Sequence, residues 1–433
     1  MSTTSNGSAY LAACEQRRRV LSNSRKVKAP SSMASMPTFN LPFGWTWASL
    51  STVCERVSVG HVGPTTEHFD NSPDGVLFVR AQNVKPGIVN LDDCARITEY
   101  FHGELKKSQL RSGDILIVRV GANRGDVGVV SRTNQKINCA NIVFARPLFD
   151  GRFFAFYLRS PAGRAGLLNL TTGSAQGVLN TEDVARLPVP VAPKPVMDRI
   201  ASILGAYDDL IEVNRRRIAV LEEMARRLFE EWFVHFRFPG HPTGQGRSVR
   251  TVGLPPGWTT GELGNLLSLA YGKALVSTER VSGPVPVIGS SGVVGWHNAA
   301  LVDRPGIVVG RKGNVGSVTW CPTPFFPIDT VFFVETEYPL PYLLHLLRTL
   351  PFQNSDAAVP GLNRSAALKL KVNVPPRSLC SEYERFVSPS LDLVDALRLI
   401  NTKLTTSRDL LLPRLISGEL CVAVAERELE DAA

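Results

Sequence analysis

The amino-acid sequence repeats itself, and that repetition narrows the folds open to it. Leu41-Pro42-Phe43-Gly44-Trp45-Thr46 returns as Leu254-Pro255-Pro256-Gly257-Trp258-Thr259, and Leu50 returns as Leu263. Further along, Leu179-Asn180 returns as Leu362-Asn363, and Leu187, Val189, Val191 and Pro193 return as Leu370, Val372, Val374 and Pro376. Leu210, Leu221 and Leu228 then return as Leu393, Leu404 and Leu411. The second group of matches lies at a shorter offset than the first, so the second copy is shorter in its middle. A repeat of this size is one structural unit used twice. Shared ends around unlike middles describe a fixed frame holding a variable body.

Each copy has the same order of parts. An L-P-x-G-W turn opens it. Short, β-branched segments punctuated by glycine follow: Val76–Val79, Ile115–Val118 and Val127–Val130 in the first copy, Ile307–Val309 and Thr330–Val334 in the second. These read as strands between turns. A short helix is expected over Phe153–Arg159 and over Pro341–Leu350, then a Pro-rich exit (Leu187 to Pro193 in the first copy), then a long helix.

The long helices carry apolar seams. Ile200, Leu204, Tyr207, Ile211, Asn214, Ile218, Leu221, Ala225, Leu228 and Trp232 are spaced alternately four and three apart, the a/d pattern of a coiled coil. Arg215, Arg216, Arg217, Glu222, Glu223, Arg226, Arg227, Glu230 and Glu231 fill a solvated face, and Pro239-Gly240 closes the run. Leu393, Leu397, Ile400, Leu404, Ser407 and Leu411 repeat the spacing in the second copy, where Pro413 is expected to end or kink the helix. Two matched seams, each too long for one small domain to cover, predict an antiparallel intramolecular pair. Asn214 is then the polar seam residue that fixes register. A helix of roughly 33 residues is about 50 Å long, against about 34 Å for one turn of B-DNA. Bodies at opposite ends of such a rod would stand further apart than one such turn.

The 433 residues carry a formal net charge of +9, which favours a polyanionic partner. The seven cysteines are scattered and never spaced C-x-x-C, arguing against a disulfide framework or a structural zinc and suiting a reducing cytoplasm. No apolar run approaches the ~20 residues that cross a bilayer. Leu11-Ala12-Ala13-Cys14 imitates a lipoprotein cleavage box, but no charged and apolar leader precedes it. The chain has no G-x-x-x-x-G-K-[ST] loop, no N-P-P-[FY] run and no H-E-x-x-H motif. Gly121, Gly125 and Gly128 make no dinucleotide fingerprint. A nuclease pattern from Asp74, Glu104 and Lys106 is too loose to carry weight.

DNA contacts remain. Arginine binds phosphate and guanine, and asparagine or glutamine binds adenine. The candidates in the first copy are Arg80 and Asn83; Arg119, Asn123 and Arg124; and Thr172, Ser174 and Gln176. In the second copy they are Ser290, Ser291, His297, Arg311, Lys312, Asn314, Asn363 and Arg364. Arg119 and Arg311 correspond, each following an apolar strand and preceding a glycine within two residues.

From Leu41 to about Leu420 the chain resembles the specificity subunits of type I restriction-modification systems. The two L-P-x-G-W openings resemble the starts of that family's target-recognition domains. The run Ile203 to Ile211 with Leu228-Phe229-Glu230-Glu231-Trp232-Phe233 is similar to its central conserved region, and Arg408 to Leu420 to its distal one. The resemblance implies an α+β fold: two similar mixed α/β target-recognition domains separated by two long helices forming an antiparallel coiled coil. It sets expected boundaries: a basic, disordered extension at 1–38, a first recognition domain at 39–195, a helix at 196–238, a linker at 239–253, a second recognition domain at 254–376, a helix at 377–420 and a tail at 421–433. The extension departs from the family pattern. The resemblance further implies a non-catalytic subunit that reads a bipartite double-stranded DNA site, binds no cofactor itself and directs two modification subunits and the restriction subunits. Those partners would use S-adenosylmethionine, ATP and Mg. Three alternatives remain at this point: the specificity subunit of a fused restriction-methylation enzyme, a coiled-coil adaptor that reads no DNA, and a cryptic nuclease.

Overall fold

The computed structural model describes residues 9, 11–13, 15–16, 41–70, 72–170, 177–241, 253–352, 361–417 and 420. Nearly all of the expected N-terminal extension, residues 242–252 of the linker, and the tail lie outside these. The chain forms two compact units, Met1–Glu212 with Asn401–Ala433, and Val213–Ile400. The division falls inside both long helices and not at their ends, because each half-helix packs into the core of its own unit.

The L-P-x-G-W openings are tight turns. Trp45 N–H donates to the Pro42 carbonyl and Trp258 N–H to that of Pro255, both at 3.1 Å. Gly44 and Gly257 sit at φ 81° and 80°, the left-handed third position of a type II turn that glycine adopts without penalty. Each turn feeds a strand that pairs antiparallel with its copy's Pro-rich exit. Thr46–Ser49 pairs with Pro188–Val191, and Thr259–Glu262 with Lys371–Val374. The first exit is therefore a strand, despite its prolines. A two-stranded ribbon has outer edges, where a missing N–H costs nothing. Leu50 N–H donates to the Leu187 carbonyl and Leu263 N–H to that of Leu370, both at 2.9 Å, continuing the clip identically in the two copies.

In the first unit a six-stranded sheet runs in the order Cys54–Val59, Ile142–Pro147, Ile115–Val118, Val127–Val129, Gly87–Val89, Val84–Lys85. A four-stranded sheet is built on Val76–Val79. Helices Arg152–Arg159 and Pro161–Asn169 cover the larger sheet's core, where Phe153, Phe154, Tyr157 and Leu158 are buried with Ile115, Ile117 and Val143. The second unit keeps the larger sheet in reduced form, in the order Leu267–Tyr271, Val331–Thr336, Gly306–Gly310, Val318–Cys321, and adds a three-stranded sheet. Helix Leu340–Thr349 buries Tyr342, Leu343 and Leu347 against Phe332 and Ile307.

The first long helix spans Lys194–Phe229 and runs on into a π turn over Glu230–Val234. The second spans Arg377–Ser417. In each unit their halves pack antiparallel. In the first unit Asp208 pairs with Arg408, and Asn401 Nδ2 donates to the Ile211 carbonyl (3.3 Å). In the second, Glu222 pairs with Arg398 (2.7 Å), and the Tyr383 hydroxyl donates to the Ala225 carbonyl (2.9 Å).

On the first helix Ile200, Leu204, Tyr207, Ile211, Asn214, Ala225 and Trp232 are buried, and Ile218, Leu221 and Leu228 half-buried. On the second helix Leu397 and Leu411 are buried and Leu404 half-buried, but Leu393 and Ile400 are 48% and 44% exposed and Ser407 is exposed. The buried stripe there passes one residue later, through Val387, Val394, half-buried Asn401 and half-buried Arg408. Large aliphatic residues marked one face of this helix, while the packed face includes polar side chains whose partners lie across the pair.

Pro413 does not end the helix. Leu411, Leu412, Leu415 and Ile416 around it are buried in the first unit's core. At about 1.5–3 kcal/mol each, their burial outweighs the roughly 3 kcal/mol that a mid-helix proline costs. By the repeat these four match Leu228, Phe229, Trp232 and Phe233, and the last three of those are buried in the core of the second unit. The end of each helix thus completes the core of one unit.

Candidate nucleic-acid interface

Both units carry a hairpin loop headed by arginine. In the first unit it joins Ile115–Val118 to Val127–Val129, and in the second Gly306–Gly310 to Val318–Cys321. The loops read Arg119-Val120-Gly121-Ala122-Asn123-Arg124-Gly125 and Arg311-Lys312-Gly313-Asn314-Val315-Gly316. Gly121 and Gly125 have φ of 87° and 85°, and Gly313 and Gly316 of 75° and 77°. Glycine at these left-handed positions lets the loops turn tightly.

Both loops are pinned in the same way. The Arg119 carbonyl accepts from Leu179 N–H (3.0 Å), and the Arg311 carbonyl from Leu362 N–H (2.8 Å). The asparagine after each leucine caps a short helix: Asn180 Oδ1 accepts from Glu182 N–H, and Asn363 Oδ1 from Ala366 N–H (3.0 Å). The expected correspondence of Arg119 with Arg311 therefore has a shared hydrogen bond behind it, and Asn363 is occupied as a cap.

In the first unit, Arg124 Nη1 donates to the Gly177 carbonyl (2.6 Å), tying the loop to the segment that precedes Leu179. The Nε atoms of Arg119 and Arg124 are buried without a hydrogen-bond partner among the described residues. Asn123 is exposed. Thr172, Ser174 and Gln176 lie outside the described residues. Arg80 is half-buried, its guanidinium 5.8 Å from the Phe69 ring centroid. Asn83 departs from its expected role. It is buried, its Oδ1 accepts from Arg80 N–H (2.9 Å), and its Nδ2 donates to the Asp93 carbonyl (2.8 Å). Those bonds hold a turn and leave little of the amide to meet a base.

In the second unit the structure gathers residues that the sequence left scattered. Tyr271 ends one strand, Phe332 stands opposite it in the next, and Arg311 follows the strand beyond. The Arg311 guanidinium lies 5.0 Å from the Tyr271 ring centroid and 5.9 Å from that of Phe332, and its Nη1 donates to the Asp329 carbonyl (3.1 Å). Arg364 approaches the same Tyr271 ring at 5.6 Å. Neither arginine forms an ion pair among the described residues, although the two share one phenol. Lys312 is half-buried and Asn314 exposed in the same loop. Ser290 and Ser291 form a hairpin tip, with the Ser290 carbonyl accepting from Ser317 Oγ (2.8 Å). His297 is engaged locally, its Nδ1 accepting from Val281 N–H (3.1 Å). Sequence reasoning missed Tyr271, whose only signal is an aromatic residue directly before Gly272-Lys273 at a strand end.

Among the described residues no group of three or more His, Cys, Asp or Glu side chains is placed to hold a metal ion, and no helix is long and apolar enough to cross a membrane.

Comparison with known proteins places these features among relatives. Residues 58–223 match the family model of the type I restriction modification DNA specificity domain. The chain is 24% identical over 289 residues to the type I restriction enzyme MjaIX specificity subunit of Methanocaldococcus jannaschii, covering 59% of this chain and 66% of that one. It is 30% identical over 151 residues to the type I restriction enzyme EcoBI specificity subunit of Escherichia coli, covering 33% of this chain and 31% of that one. The matched stretches thus span just under two thirds and about a third of these two relatives. In fold, the chain is similar to the crystal structure of a type I restriction-modification system S subunit from M. genitalium, with a TM-score of 0.53 at 18% identity over 90% of this chain and 98% of that one.

Proposed function

We propose that this chain, whose residues 58–223 match the type I restriction modification DNA specificity domain, is the subunit that reads a bipartite double-stranded DNA site for its complex. The observation that carries the reading is the hairpin loop built twice on one frame, pinned by the same bond and headed by Arg119 in one copy and Arg311 in the other. Two readers on one chain address two half-sites. The arginines supply phosphate contacts and base-edge donors, and the +9 net charge favours the encounter.

Catalysis falls to the partners in this reading. Two modification subunits bring S-adenosylmethionine, and restriction subunits bring ATP and Mg. A surface suited to holding a helical partner is present in the second unit. Val213, Val220 and Met224 on the first helix, and Phe386, Leu393 and Ile400 on the second, form stripes of exposed apolar side chains at helical spacing. Exposed stripes of this kind mark association surfaces.

The test is co-expression with the methyltransferase encoded beside it, followed by mapping of methylated adenines. A two-part motif with a fixed gap, lost when this chain is deleted, is the expected result. Methylation that persists unchanged without the chain would overturn the assignment and favour an adaptor role.

A further inference from the structure

Hydrogen-bond register aligns the two units position by position. Val143 pairs with Val59 in the first unit as Phe332 pairs with Tyr271 in the second. Ile142 pairs with Val118 as Val331 pairs with Gly310. Arg119 and Arg311 follow these last strands, and Thr181 and Arg364 follow the capping asparagines. At four equivalent positions the arginine alone is kept. Val59, Val143 and Thr181 of the first copy are replaced by Tyr271, Phe332 and Arg364 in the second. The differences converge on one side chain, Arg311.

Their effect is physical. In the second unit the Arg311 guanidinium is fixed by two aromatic rings and by one carbonyl. A guanidinium held in this way has already lost much of its rotamer freedom, so it presents its remaining N–H donors at a lower ordering cost. Arg364 adds a second positive charge on the same ring, with no acidic side chain paired to either among the described residues. Two guanidiniums gathered without a counter-charge suit an anionic, acceptor-rich ligand. The fixed one suits a base edge, where geometry matters, and the exposed one suits a phosphate, where charge does.

We infer that Arg311 is a specificity-determining residue of the second half-site, reading the O6/N7 edge of a guanine, with Tyr271 positioning it and Arg364 holding the adjacent phosphate. This rests on the DNA-reading assignment above. Guanine is the base whose major-groove edge offers two acceptors to an arginine fork.

The experiment maps methylation by the full complex carrying Arg311→Lys, Tyr271→Val or Arg364→Ala. Lysine keeps the charge and loses the fork. Arg311→Lys is expected to relax one guanine position of one half-site by roughly ten- to a hundredfold, leaving the other half-site intact as an internal control for folding. Tyr271→Val, which installs the residue found at the equivalent place in the first copy, is expected to relax the same position less. Arg364→Ala is expected to weaken binding to all sequences alike and to lower the salt slope by about one. A uniform loss with an unaltered motif for Arg311→Lys, or no change at all, overturns the inference. If Arg311→Lys fails to assemble, Tyr271→Val decides: full preference retained at every position overturns it. A motif that depends on this chain but on none of the three residues sinks only this inference. Methylation independent of the chain sinks the function assignment itself.

Discussion

At the scale of single residues, burial separates structural side chains from available ones. Asn83 makes hydrogen bonds with both ends of its amide. Asn83→Ala is therefore expected to cost about 1–3 kcal/mol of stability, measured by denaturant unfolding, while the methylated motif stays the same. His345 is buried beside Phe229 and Tyr383, with Nε2 lacking a hydrogen-bond partner among the described residues. Burial first, and the positive charges of Arg348 and Arg226 second, push its pKa down to about 4. The unfolded chain binds this proton more readily than the folded one. The neutral histidine's contribution is thus complete above about pH 6.5 and drains away as pH falls towards 4. Unfolding measured at pH 7.5 and 4.5 should show wild type losing on the order of 2–3 kcal/mol more than His345→Leu. Much of the candidate site could be read from sequence where the repeat marks it: Arg119 and Arg311 stand at matched places before matched glycines. Tyr271 could not, because its partner in the first copy is Val59, and repetition points only to what the copies share.

Secondary-structure elements carry the next set of consequences. The strands over Val76–Val79 and Ile115–Val118 and the helix Arg152–Arg159 follow from dense β-branched runs and a compact apolar stretch. The clip between Thr46–Ser49 and Pro188–Val191 was hidden by prolines that usually argue against a strand. The second seam was misplaced by one residue for a related reason. Leu393 and Ile400 have the hydropathy of a packed face, yet Val394 and Asn401 take the inward positions. Asn401 is paid for by the Ile211 carbonyl across the pair, a bond that no local pattern announces. The distal helix end provides a direct test. Leu415 is buried in the first unit's core. Leu415→Ala is expected to cost about 2–5 kcal/mol, and hydrogen exchange should show the loss in the first unit while strands Leu267–Tyr271 and Val331–Thr336 keep their protection.

For the whole molecule, exchangeability and spacing are the measurable properties. Because the body of each unit enters and leaves through paired strands, replacing residues 46–191 with the equivalent segment of a similar specificity subunit should, under the proposed function, change one half-site of the methylated motif and preserve the other. Inserting two turns into the first long helix should lengthen the unread gap or abolish methylation, and an unchanged gap would remove any ruler role from the helices. The packing of Leu411, Leu412, Leu415, Ile416 and Leu420 into the first unit also sets a timetable for the newborn chain. The ribosome delivers the body of the first unit early and its last core residues only after all of Val213–Ile400 has been made. At about 5–20 residues per second that interval is roughly 10–40 s. Throughout it the first unit waits with an open core, while the second, whose residues are contiguous, can close as it emerges. A chain whose synthesis stalls between Ile400 and Leu411 thus holds one completed unit and one exposed core, a natural substrate for chaperones and proteases.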